Sequence, residues 1–97
     1  MISEKRVWNF IDLHFPDEEI IYPTGFERAF VGVTAEDDFA KAVMSANICI
    51  DILAEDMPRK EAEEYFWFNV AGSKMGKRSP VYIYTLSEGK EDASPYE

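Results

Sequence analysis

The sequence predicts a small α+β domain: a three- or four-stranded, mostly antiparallel sheet in two layers with three helices. Three observations carry this expectation. Apolar residues recur at helical spacing over about 4–14, through Ile48, Cys49, Ile52 and Leu53, and over about 59–71. Two short runs, 28–34 and 39–44, flank the acidic turn Ala35-Glu36-Asp37-Asp38 as a hairpin would. A third run, Pro80 to Leu86, alternates Val81, Ile83 and Thr85 with Tyr82, Tyr84 and Leu86. Helices and strands that come in blocks, and not in regular βαβ alternation, favour α+β packing.

The elements follow in order. Ser3 is a good N-cap and Glu4 suits the positive end of a helix dipole; Val7, Phe10, Ile11 and His14 then form a stripe that Pro16 ends. Ile20-Ile21-Tyr22, closed by Pro23, reads as an edge strand or extended segment, and Thr24-Gly25 as a turn. In the first hairpin strand Ala29, Val31 and Val33 share a face, and Gly32 between the valines marks a possible close approach of backbones. Ser45 or Asn47 can cap the second helix, whose stripe is Ile48, Cys49, Ile52 and Leu53. Pro58 fits the first turn of the third helix, Glu61, Glu63 and Glu64 lie near its start, and Gly72 is a plausible terminator. Residues 1–86 are expected to form one domain and 87–97 a charged, flexible, acidic tail. Phe30, Tyr82, Tyr84 and Leu86 are expected on an uncovered sheet face that asks for a partner or a second copy.

Composition bounds the function. The chain has 97 residues, 46% of them apolar, and a formal charge of -9. A domain of this size buries roughly 60–65% of its unfolded surface, enough for one core without metal or disulfide. The net negative charge argues against direct nucleic-acid binding and favours a basic partner, or a surface competing with nucleic acid for one. Cys49 is the only cysteine and His14 the only histidine, so no disulfide forms within the chain, a thiolate–imidazole metal site has too few ligands, and no catalytic triad has a supporting pattern. No catalytic residue, cofactor or metal ligand is expected. The start of the chain lacks a signal-peptide pattern and no run is long enough to span a bilayer, which together with the lone thiol points to the cytoplasm and away from membranes.

The third helix carries the most information. On a 100° wheel Ala62, Tyr65, Phe66, Asn69 and Val70 share one side, while Trp67 and Phe68 point away. Either the helix is covered on more than one side within the domain or it offers Trp67 or Phe68 to another chain. Asn69, near the middle of the apolar side, is expected to be buried and to bridge to backbone. The acids around this helix, Glu63 and Glu64, and those of the hairpin turn, Asp37 and Asp38, are the candidate acidic contacts for a protein partner, spaced in a way that can mimic phosphates. In the other direction, Lys74, Lys77 and Arg78 can form an anion site at an oligomer interface; Gly72-Ser-Lys-Met-Gly76-Lys77-Arg78-Ser79 is short by one for a phosphate loop and follows a helix where such a loop precedes one.

Glu61-Ala62-Glu63-Glu64-Tyr65, then Phe68-Asn69-Val70-Ala71-Gly72 and Gly76-Lys77-Arg78-Ser79-Pro80-Val81, resemble a set of small phage and prophage proteins with the pattern E-A-x-E-aromatic, aromatic-N-x-x-G and G-x-x-[ST]-P-[VI]. The resemblance covers about residues 28–86, and members carry Ser or Thr where Pro58 stands. It brings no catalytic residue. It implies a viral accessory protein in a bacterial host cytoplasm, and by analogy an inhibitor or modulator of a host protein, an anti-CRISPR or other anti-defence factor among them, whose target can itself bind nucleic acid. A homodimer, a virion component and a small-ligand or nucleotide-binding sponge built on the 74–78 loop are the alternatives.

Overall fold

A computed structural model describes residues 3–36, 38–73 and 76–86. Helix α1 spans Glu4–His14, with the Ser3 hydroxyl accepting from the Arg6 N–H at 3.2 Å. A 3₁₀ turn, Glu27–Ala29, leads into β1, Phe30–Val33; β2 is Ala42–Ser45, and α2, Ala46–Leu53, follows without a break. Helix α3, Arg59–Tyr65, continues as a π-helical turn, Phe66–Val70; a second 3₁₀ turn, Gly76–Arg78, precedes β3, Val81–Ile83. Three helices and a three-stranded open sheet make this a small α+β fold. The strand order is β1-β2-β3, antiparallel between β1 and β2 and parallel between β2 and β3.

All three helices deliver side chains to one core. Val7 and Ile11 come from α1, Cys49 and Ile50 from α2, and Ala62 and Phe66 from α3 and its extension, against Phe30, Ala42 and Met44 of the sheet. Phe30 and Tyr82 therefore face inward, and not onto an uncovered sheet face as expected. Phe30 is buried, and Tyr82 packs edge-on against Phe66 with centroids 5.2 Å apart. Their register explains it: Phe30 and Tyr82 both pair with Met44, at the heart of the core. Tyr84 and Leu86, beyond the last strand, are exposed.

Of the two readings of residues 20–22, an edge strand or an extended segment, the strand does not form; Ile20 is buried, and Tyr22 packs its ring between Trp8 at 5.9 Å and Phe30 at 5.8 Å, so side chains hold the segment. Three further expectations need correction. No backbone crowds the side-chain position of Gly32: a Cβ there would meet nothing within 4 Å. Its neighbourhood is a register shift between Phe30 and Gly32, which turns Val31 out to solvent, away from Val33. Phe39 lies outside β2, with Thr34 and Lys41 hydrogen-bonded across the base of the turn, the Thr34 N–H to the Lys41 carbonyl at 2.9 Å and the Lys41 N–H to the Thr34 hydroxyl at 3.0 Å. Asn69, finally, is exposed.

The reason for the last is the π turn. The Ala71 N–H donates to the Phe66 carbonyl, five residues back, at 2.8 Å. Closing each turn over an extra residue slows the rotation of side chains along the axis. Inward positions then recur every four residues, at Ala62, Phe66 and Val70, and Tyr65 and Asn69 move out of the stripe. Gly72 follows at the end of this segment. A Cβ on it would lie 2.9 Å from the Phe68 carbonyl oxygen and 3.0 Å from that of Trp67, so the chain exits where only glycine fits without a shift.

Candidate functional site

The π turn displays the aromatic run. Trp67 is 45% and Phe68 80% exposed, while Phe66 between α3 and the sheet is fully buried. Trp67 lies edge-on to Phe66, centroids 4.7 Å apart, and is tilted by 51° to Tyr84 at 6.4 Å. Rings thus run from the core outward in the order Tyr82, Phe66, Trp67, Tyr84, anchored at one end and open at the other.

The rings of Trp67, Phe68 and Tyr84 line a groove of about 470 Å³. Asn47 and Ile50 of α2 line it, with Arg59, Glu63 and Glu64 of α3, Trp67 and Phe68 of the π turn, and Tyr84. Tyr84 is placed by an unusual join. Ser45 and Ile83 are the last backbone partners of β2 and β3; one register step further the chain has already turned into α2, and the Asn47 side chain takes over. Its Nδ2 donates to the Thr85 carbonyl at 3.0 Å, and its Oδ1 accepts from the Thr85 N–H at 2.9 Å.

The buried Ser45 hydroxyl completes this join. It caps α2 by accepting from the Ile48 N–H at 3.2 Å, lies 2.7 Å from the Thr85 hydroxyl, and donates to Asn47 Oδ1 at 3.0 Å. The Thr85 hydroxyl lies within hydrogen-bond distance of both the Ser45 hydroxyl and Asn47 Oδ1, at 2.7 and 3.4 Å.

Charge in the groove is unbalanced. Arg59 is bonded to Asp51 at 2.7 Å and lies 4.0 Å from Glu63. Glu64 lines the groove with no ion pair among the described residues. Glu55, in the same acidic neighbourhood of the sequence, is neutralised by Arg28 at 2.8 Å.

The structure therefore brings Glu63, Glu64, Trp67 and Phe68 together. It does not bring Asp38 to them. The groove lies at the C-terminal ends of β2 and β3, whereas Asp38 sits on the connection entering β2 from its other end. Asp37 and Lys74 lie outside the described residues, as does the expected tail, 87–97. Arg78 donates to a Glu18 carboxylate oxygen at 2.9 Å and to the Glu19 carbonyl at 3.1 Å, and both Arg78 and Lys77 place their cations 5.2 Å from the centre of the Phe39 ring. Arg78 so ties the segment after α1 to the β1–β2 connection, an internal use for the cation that the anion-site reading would need.

Sequence reasoning missed Asn47 and Arg59 as groove residues. Asn47 reads locally as one of two possible caps, and nothing within the helix announces a partner 38 residues away. A second, smaller hollow of about 240 Å³ lies between α1 and β1, lined by Arg6, Val7, Phe10, Phe30 and Val31.

Elsewhere the chemistry is muted. Cys49 is fully buried, and desolvation pushes its thiol up to about 12, leaving it protonated and unreactive at neutral pH. The His14 ring lies 4.8 Å from that of Phe10, tilted by 47°. Among the described residues no three His, Cys, Asp or Glu side chains gather as a metal site, and no helix is long and apolar enough to cross a membrane. Compared with protein families, curated proteins and solved structures, the chain matches none.

Proposed function

We propose that this chain is a non-enzymatic binding protein that engages another protein through the groove between α3 and the end of β3. One observation carries the reading: Trp67, Phe68 and Tyr84 stand exposed together at the rim of a groove that also holds Glu63 and Glu64. Aromatic side chains contribute more binding energy than their number suggests, and a rigid ring anchored on Phe66 loses little freedom when covered. The resemblance to phage and prophage proteins supplies the setting for this proposal. The partner is then a bacterial host protein that the chain blocks or modulates, a nuclease of a CRISPR system or another defence protein among the candidates, and one with a basic nucleic-acid surface suits the net charge of -9.

The test is capture from bacterial lysate at low and high salt, with the native chain beside Phe68→Ala and Trp67→Ala. A specific partner retained by the native chain and lost by Phe68→Ala supports the reading, and loss between low and high salt assigns weight to the carboxylates. A partner retained equally by both variants overturns it.

A further inference from the structure

We infer that the groove receives an arginine side chain from a basic segment of the partner, with the guanidinium set against the Trp67 and Tyr84 rings and paired with Glu63 and Glu64. This rests on the groove being the binding face and says what fills it.

Charge complementarity comes first. The groove's own cation, Arg59, is already held by Asp51 at 2.7 Å and sits at 4.0 Å from Glu63. Glu63 and Glu64 line the groove with Arg59 as its one lining cation among the described residues, and that guanidinium is bonded to Asp51, which leaves the site short of positive charge within a chain of net charge -9. An anionic or purely apolar occupant would leave that excess uncompensated.

Ring geometry comes second. Trp67 and Tyr84, centroids 6.4 Å apart and tilted by 51°, line the groove together with those carboxylates. A cation within about 6 Å of a ring centre is attracted to it, and the planar, weakly hydrated guanidinium stacks better than an ammonium.

The molecule itself supplies the third argument. At the opposite end of the sheet Arg78 is satisfied by this same pair of groups, the Phe39 ring at 5.2 Å and a Glu18 carboxylate oxygen at 2.9 Å. The groove offers ring and carboxylate again, while Arg59 is turned to Asp51. At about 470 Å³ it has room for a long side chain and some of its flanking backbone.

The experiment follows Trp67 emission in the full chain carrying Trp8→Phe. The probes are a Gly-Arg-Gly-Arg-Gly peptide, its lysine counterpart and its citrulline counterpart, which keeps the shape of arginine without the charge. The arginine peptide should shift the emission, the lysine peptide should bind more weakly, and the citrulline peptide at least about tenfold more weakly. Glu63→Gln with Glu64→Gln should weaken the arginine peptide by about tenfold, whereas Glu36→Gln with Asp38→Asn, the same change in net charge at the other end of the sheet, should leave it within about twofold.

Equal binding of citrulline and arginine peptides, or equal weakening by both pairs of substitutions, overturns the proposal. So does an emission change on simple dilution without peptide, which would give the groove to a second copy of the chain. If the arginine peptide fails while Phe68→Ala still abolishes capture of a partner from lysate, the arginine assignment falls and the binding face stands. If Phe68→Ala and Trp67→Ala both leave that capture intact, the binding face itself falls.

Discussion

The Asn47 side chain pairs with the backbone of Thr85 as a strand residue would, donating to its carbonyl at 3.0 Å and accepting from its N–H at 2.9 Å. The amide stands in for backbone that β2 no longer supplies, and so holds Tyr84 beside Trp67. Asn47→Ala removes both bonds and strands two backbone groups, at a cost of about 1–3 kcal/mol. Asn47→Asp keeps the acceptor but turns a negative oxygen toward the Thr85 carbonyl, so it should not restore the loss. Urea unfolding measures the cost. Trp67 emission in native buffer, with Trp8 replaced by Phe, should report a more solvated indole in both variants.

Two glycines should respond in opposite directions to the same change. Gly72→Ala places a methyl group 2.9 Å from the Phe68 carbonyl oxygen and should destabilise, although shortening the freedom of the unfolded chain usually helps. Gly32→Ala meets nothing within 4 Å and should be neutral or gain about 0.4–1 kcal/mol. Thermal melts of the two variants against the native chain decide it, and a stabilising Gly72→Ala would contradict the crowding at the end of the π turn.

What the sequence disclosed follows physical scale. Helix α1 was readable to the residue, because Ser3, the apolar stripe and Pro16 act within one segment. That Trp67 and Phe68 leave the buried stripe is readable as well, since four successive aromatics cannot share one, but whether another element covers them is not, and the structure leaves both exposed. Asn69 misled because the wheel assumes 3.6 residues per turn, and the π turn departs from it where Phe66 seats against Tyr82. The uncovered face expected for Phe30 and Tyr82 misled because alternation gives two faces without saying which one the helices cover. Ser45 was readable as a cap of α2, but its join with Asn47 and Thr85 lay beyond local reading, because it needs β2 and β3 side by side.

Stability should fall at alkaline pH. Burial pushes Cys49 from 9.0 up to about 12, and burial followed by the neighbouring Cys49 charge pushes Tyr82 from 10.0 up to about 12. As pH rises past 9 the unfolded chain loses these protons before the folded chain does, so the unfolded state binds fewer protons and unfolding becomes easier. The contribution is complete below pH 9 and lost progressively toward 12, at up to about 1.4 kcal/mol per pH unit for Cys49. Urea midpoints from pH 8 to 11 should decline, and Cys49→Ala should lower stability at pH 8 but flatten the slope, so that the two curves converge as pH rises. A thiol reagent at pH 8 should label Cys49 only as fast as the core opens.

Arg78 links three parts of the chain: Glu18 and Glu19 after α1, Phe39 before β2, and its own 3₁₀ turn before β3. Its pair with Glu18 is partly exposed, so screening keeps the expected loss in Arg78→Ala to about 1 kcal/mol, smaller still at high salt. Arg78→Lys should recover only part of it, since an ammonium cannot lie flat on Phe39 while reaching both the Glu18 carboxylate and the Glu19 carbonyl. Glu18→Gln should lose less than Arg78→Ala, because the contacts to Glu19 and Phe39 survive it. The same commitment predicts that inorganic phosphate, titrated at constant ionic strength and followed by backbone amide shifts, leaves the 76–79 segment unmoved. A saturating shift there would show that Arg78 prefers an outside anion to Glu18, and would revive the loop as a ligand site.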